Sequence, residues 1–193
     1  MTIHEIINKI YPLPDTSIEK LSRCLSEETY PKGYKLLETG RIETNLFFIK
    51  KGIVRVYMPV DGKDITFWIG KEGDTIVSLK SYINNLPGYE TIELIEESVL
   101  YVLKRKDIQK LFNEDINIAN WGRRFAESEL LKTEEKLIPL LYTTASERYI
   151  NMIENTPELL QRIPLEHIAS YLGVTPVSLS RIRANIAILS QER

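Results

Sequence analysis

From Gly173 to Ser190 the chain carries no acidic residue, and within that stretch fall Thr175, Val177, Ser178, Ser180, Arg181 and Arg183. On one helix these side chains would offer hydroxyls, a branched apolar group and guanidinium groups to an external partner. An arginine can bond bidentately to guanine O6 and N7 or pair with a phosphate. Serine suits phosphates or base edges, and valine can touch a thymine methyl. The chemistry on offer is the reading of DNA. Spacing alone leaves a second reading open, an ordinary helical hairpin that packs on a partner.

The elements that must position these residues are short. Pro164 can open a helix, because its missing N–H would have been unpaired there. Ile168, Ala169 and Leu172 follow as a small apolar face, and Gly173 supplies the left-handed position that ends a helix. Thr175 and Pro176 then read as N-cap and first helical residue, with Leu179, Ile182 and Ile186 as the next apolar face. A short helix, a glycine turn and a second helix presented outward form the groove-reading arrangement of helix-turn-helix proteins.

Composition sets the bounds. The chain has 193 residues, 43% of them hydrophobic and 27% charged, as in an ordinary globular protein. Its net charge is −2 and its pI about 5.8, so any DNA binding must rest on local charge. One cysteine, Cys24, excludes an internal disulfide and an iron–sulfur centre. The only histidines, His4 and His167, are far apart, which argues against a metal or haem site and against a metal-dependent cupin enzyme. No run is long and apolar enough for a membrane span, and the start MTIHEIINKI does not read as a signal peptide, so a cytoplasmic location is expected.

The first 28 residues read as helical, with a capping-box spacing at Thr16-Ser17-Ile18-Glu19. Short strand-like runs then follow at Tyr34–Leu37, Leu46–Lys50, Ile53–Met58, Ile65–Ile69, Thr75–Val77, Thr91–Ile95 and Val99–Lys104. Asp61-Gly62 between two of them is a hairpin signal. Such strands suggest a double-sheet jelly roll. Beyond Arg105 the pattern is helical: a short helix over Asp107–Phe112 and a longer one over Asp115–Leu137, with Ile118, Trp121 and Phe125 as an apolar stripe. Pro139 should end or kink that helix, and Thr144-Ala145-Ser146-Glu147 should cap the next. Cys24 reads as a buried small hydrophobe.

The run IASYLGVTPVSLSRIR resembles the helix-turn-helix of the Crp–Fnr superfamily of transcription regulators, in the form common in Bacteroidetes-type bacteria. Ala169, Leu172, Gly173, Thr175, Leu179, Ser180, Arg181 and Ile182 all fit its pattern, and the turn glycines Gly33, Gly52, Gly62 and Gly73 fit its β-roll. The resemblance implies an α+β chain: a cyclic-nucleotide-binding-type β-roll (1–114), a dimerisation helix and hinge (115–142) and a helix-turn-helix domain (143–193). It also implies that Ile118, Trp121 and Phe125 pair across a two-fold axis. The expected partners are DNA, a second copy of the chain, RNA polymerase and a small effector, with no cofactor, metal or membrane.

Two departures bear on mechanism. In GDTIVSLKSYINNLPGYETIEL, Val77 and Ser78 replace the Gly-Glu pair that holds the ribose in cyclic-nucleotide-binding relatives, and Gly88 replaces the arginine that holds the phosphate. Lys80 is the only basic residue from Gly73 through Leu103. Cyclic AMP is therefore not expected. Either the roll holds another effector, in a pocket with Val77, Ser78, Lys80, Tyr82, Gly88 and Tyr89, or it serves as a dimerisation body. In the reading helix, Pro176 and Val177 replace a base-contacting Arg-Glu pair, leaving Arg181 as the base reader carried over, so the target site should differ from the usual one. The sequence given ends at Arg193, before the β-hairpin wing of such relatives, so weaker DNA binding is expected. The alternative function is a ligand-binding roll whose helical tail makes protein contacts.

Overall fold

The computed structural model describes residues 1–191, with side chains through residue 188. Two N-terminal helices, α1 (Ile3–Ile10) and α2 (Asp15–Arg23), lead into strands β1 (Leu25–Tyr30), β2 (Lys35–Leu37), β3 (Leu46–Lys51), β4 (Val54–Val60), β5 (Lys63–Gly70) and β6 (Thr75–Ile76). A short helix α3 (Leu79–Asn84) separates these from β7 (Thr91–Leu94) and β8 (Ser98–Leu103). The strands form two antiparallel four-stranded sheets, in the orders β1-β8-β3-β6 and β2-β7-β4-β5. Helices α4 (Arg105–Glu114), α5 (Ile116–Leu140), α6 (Ala145–Asn155), α7 (Leu159–Arg162), α8 (Leu165–Tyr171) and α9 (Pro176–Gln191) complete the chain. The expected mixed architecture, a β-roll flanked by helices and followed by a helical C-terminal region, is what forms.

Strand alternation builds the core. In β3, Phe47 and Ile49 point between the sheets toward Val54, Val56, Ile92 and Leu100. Leu46 and Phe48 point the other way, onto Ile6, Ile7, Leu21, Ile108 and Trp121 of the flanking helices. A strand buried on both faces needs a continuous apolar run, and LFFI supplies it. The β4–β5 hairpin turns at Asp61 and Gly62, with φ of 50° and 75°, the positive values that a type I′ turn demands.

Several local expectations change. β1 begins at Leu25, inside the stretch read as helical. Its residues are mostly exposed, so it lacks an apolar face, and pairing with β8 from Leu25↔Leu103 to Tyr30↔Ser98 makes it a strand. Thr16 is not an N-cap: α2 starts at Asp15 after Pro14, with no side-chain cap. The N-terminal capping box belongs instead to Thr2 and Glu5. The box at Thr144 and Glu147 forms as expected. Pro139 is tolerated in the last turn of α5, which ends one residue later.

Asp115 caps α5 and ties it to α2. Its carboxylate accepts from Asn117 N at 3.0 Å, from Ser17 Oγ at 3.0 Å and from Lys20 Nζ at 2.9 Å. The Lys20 hydrogen bond, seconded by Ser17, holds its pKa down at about 2. Asp115→Ala removes the cap and leaves Ser17 unpaired, so a loss of about 2 kcal/mol in urea unfolding is expected. An unchanged midpoint would mean that the cap contributes nothing.

Candidate functional site

The outward helix is built as its sequence demands. Gly173 takes φ 72°, and Val174 N reaches back to Ala169 O at 3.0 Å to close α8. Thr175 Oγ1 accepts from Ser178 N at 3.1 Å and starts α9. Ile168, Ala169, Leu172 and Leu179 are buried, with Ile182 and Ile186 packed on them. This leaves Thr175, Val177, Ser180, Arg181 and Arg183 exposed on the far side, with Ser178 half-buried. Ser180 Oγ is turned back onto Pro176 O at 3.0 Å. Among the described residues neither arginine forms an ion pair, and both are exposed to an anionic partner. Ser190, the edge of the acid-free stretch, lies outside the described side chains.

A feature missed in the sequence is how firmly the C-terminal helices α6 to α9, here the head, sit on the roll. Arg162, at the end of α7, donates from Nη1 and Nη2 to Glu72 at 3.0 and 2.7 Å and from Nε to Glu96 at 3.3 Å, with a further short Nη2 bond to Glu96. Glu72 also accepts from Gly52 N at 2.8 Å. The Arg162 bonds hold the Glu72 carboxyl at a pKa of about 2 despite burial. Beside this clamp, Ile53 and Ile95 of the roll share a core with Tyr149, Met152, Leu159, Ile163 and Ile168 of the head. Ser170 Oγ on α8 accepts from Thr66 N at 2.9 Å and donates to Asp64 O at 2.7 Å, which fixes α8 on the β4–β5 hairpin.

The roll contains a cavity of about 880 Å³ between its sheet, α3 and α5, and Tyr171 of α8 also lines it. Of the residues expected at an effector pocket, Val77, Tyr82 and Tyr89 line it. Ser78, Lys80 and Gly88 do not. Ser78 is 1% exposed and donates to Ser81 Oγ at 3.1 Å, while Lys80 points to solvent from α3. Gly88 is packed so tightly that an added Cβ would sit 3.0 Å from Ser78 Oγ and 3.1 Å from Glu90 Oε2. The residues expected to pair two copies are placed differently too. Ile118 and Trp121 are 0% and 1% exposed within their own chain, and Trp121 Nε1 donates to Ile7 O at 3.0 Å. They have no surface to give a second copy. Phe125, half-buried, stacks on Trp121 at 6.0 Å, and both line the cavity.

Glu90 and Lys136 are cavity residues that sequence reading passed over. Lys136 Nζ donates to Phe67 O and lies 4.3 Å from the centre of the Tyr171 ring. Burial pushes its pKa down to about 8. Neither residue has a local sequence signal, because each acquires its role from distant neighbours.

Residues 27–115 match the family model of the cyclic nucleotide-binding domain. A cAMP-dependent protein kinase regulatory subunit from Debaryomyces hansenii is 29% identical over 99 residues, which are 51% of this chain and 21% of that protein's length. Two solved structures share the fold over most of both chains. A transcriptional regulator assigned to the Crp/Fnr family, from Eubacterium rectale, is 17% identical with a TM-score of 0.72, covering 93% of this chain and 88% of its own. FixK2 from Bradyrhizobium japonicum is 20% identical with a TM-score of 0.71, covering 86% of each. The β-roll thus matches the cyclic nucleotide-binding domain model, and over most of its length the chain shares its fold with these two structures. Among the described residues no helix is long and apolar enough to cross a membrane.

Proposed function

We propose that this chain is a cytoplasmic, homodimeric, sequence-specific DNA-binding transcription regulator, with residues 1–114 as sensor, 115–142 as dimerisation helix and hinge, and 143–193 as reading head. The observation that carries this reading is the exposed, acid-free surface of α9, which presents Val177 and Arg181 on one face and Arg183 on the flank of a capped helix held outward by the Gly173 turn. Such a helix enters a major groove with its N-terminal residues at the base edges. Arg181 reads a base, while Thr175, Ser178 and Arg183 serve phosphates. RNA polymerase would be a partner only once the head is on DNA.

Dimerisation uses the second half of α5. Leu130, Leu131, Leu137 and Ile138 are exposed at 71%, 54%, 56% and 46%, an apolar surface that a second copy would cover. Two heads spaced about one DNA turn apart would then read a palindrome.

The effector is a small molecule other than cyclic AMP. Ser78 and Gly88 leave no cation where a cyclic phosphate would need one, and the nearby Glu90 carboxylate would repel it. Footprinting of the intact protein on the DNA upstream of its own coding sequence tests the regulator reading. A protected, two-fold symmetric site at low salt is the expected result. Binding that is indifferent to sequence would leave the alternative, a ligand-binding roll with a protein-contacting tail.

A further inference from the structure

The cavity wall holds a carboxylate that nothing among the described residues satisfies. Glu90 is 5% exposed and lines the cavity; neither carboxylate oxygen has a hydrogen-bond partner among the described residues, and Oε2 is the one sealed against the protein. A buried carboxylate oxygen without a donor is costly, and native structures rarely leave one. Its surroundings offer acceptors rather than donors. The Ser78 hydroxyl proton goes to Ser81, and the Ser81 proton goes to Leu86 O at 3.0 Å. Gly88, whose added Cβ would lie 3.1 Å from Oε2, has no side chain to give and no room for one. The two cavity lysines are engaged elsewhere: Lys132 donates to Glu129 at 2.6 Å and Lys136 to Phe67 O.

Most of the rest of the wall is apolar, with Val56, Trp68, Ile76, Val77 and Phe125 among it, and Glu129, Lys132 and Lys136 stand on the α5 side. The volume suits a small organic molecule.

We propose that this cavity binds a largely apolar molecule whose single hydrogen-bond-donating head, an amine or a hydroxyl, meets Glu90, and that the bound molecule touches Tyr171 of the reading head. The first half stands on the cavity alone, and the second rests on the regulator reading. An anionic head is excluded from the Glu90 end, since it would bring acceptors to a carboxylate that already lacks a donor. Contact with Tyr171 gives the ligand a differential interaction with head positions, which is what a regulatory ligand requires. The lever is short: Tyr171 follows Ser170, whose hydroxyl bridges Thr66 and Asp64.

The chain's two tryptophans, Trp68 and Trp121, both line the cavity, so intrinsic fluorescence reports occupancy directly. Three probes with one body, 4-phenylbutylamine, 4-phenylbutanol and 4-phenylbutanoate, are titrated into the full chain without DNA. Saturable change with the amine or the alcohol is expected, with the acid weaker than the better donor by about tenfold or more. Amine and alcohol together, or either alone, identify the charge of the head that the site takes. Glu90→Gln should weaken the amine by about tenfold. Ala126→Phe, on the exposed cavity rim of α5, should weaken all binding and decides the matter if Glu90→Gln fails to fold. An acid that binds as well as the amine and alcohol, no saturable change with any probe, or an amine affinity unchanged in Glu90→Gln would overturn the proposal. Because no DNA is present, failure of the regulator reading leaves these titrations standing, and their failure leaves DNA binding untouched.

Discussion

Replacing Arg162 by alanine will loosen the reading head from the roll and lower the thermal midpoint by about 4–8 °C, equivalent to about 2 kcal/mol. The arginine makes its bonds to Glu72 and Glu96 with about three-tenths of its side chain exposed, and both glutamates are similarly covered. Removing it leaves two half-buried carboxylates side by side. Glu72 keeps its bond from Gly52 N, but the like-charge repulsion has no remaining counterweight. Hydrogen exchange should rise in α6 and α8, which hold the shared core, and not in β3 or β8. Equal protection in both proteins would show that the apolar cluster of Ile53, Ile95 and Ile163 docks the head unaided.

The same clamp sets an acid limit. The folded pKa of Glu72, about 2, lies below its ordinary value of 4.5. Its contribution is therefore complete above pH 4.5 and is lost as pH falls through 2. Wild type should shed the extra stability in that window, and Arg162→Ala should show a flatter profile there.

The second large effect concerns DNA. Arg181→Ala should weaken binding to the footprinted site by about ten- to a hundredfold, or about 1–3 kcal/mol, and leave random-sequence DNA nearly unaffected. Arg183→Ala should instead weaken both alike and reduce the salt dependence by about one phosphate contact. The two arginines lie two residues apart on α9, both exposed, so neither change should disturb the fold. Gel shifts at matched salt separate the patterns. Equal losses on specific and random DNA for Arg181→Ala would assign it to phosphate and leave base reading to Val177.

Most of the roll was legible before any coordinates. Strands β2 to β8 announce themselves because each alternates or runs apolar between turn residues, and Asp61-Gly62 fixes a hairpin by its backbone chemistry. The head was legible for the same reason: Gly173 and Thr175 act within a few residues of themselves, through positive φ and an N-cap bond. β1 was not, since LSEETY has no apolar face and becomes a strand only when β8 offers its edge.

The outward helix with which the sequence reading began is thus a product of local rules, and so are its exposed arginines. What it faces is not. Periodicity marked Ile118, Trp121 and Phe125 as an apolar stripe, but only the packed chain shows that Ile118 and Trp121 are consumed by their own core, leaving Leu130 and Leu137 exposed. Arg162 meets Glu72 and Glu96 across 90 and 66 residues, and Glu90 is buried in a cavity whose walls come from well-separated parts of the chain. The turns at Asp61-Gly62 and Gly173 and the caps at Thr144 and Thr175 depend on neighbours a few residues away, so the sequence alone decides them. Docking, the cavity and its unpaired carboxylate depend on which distant surfaces exclude water together, and only the tertiary structure decides that.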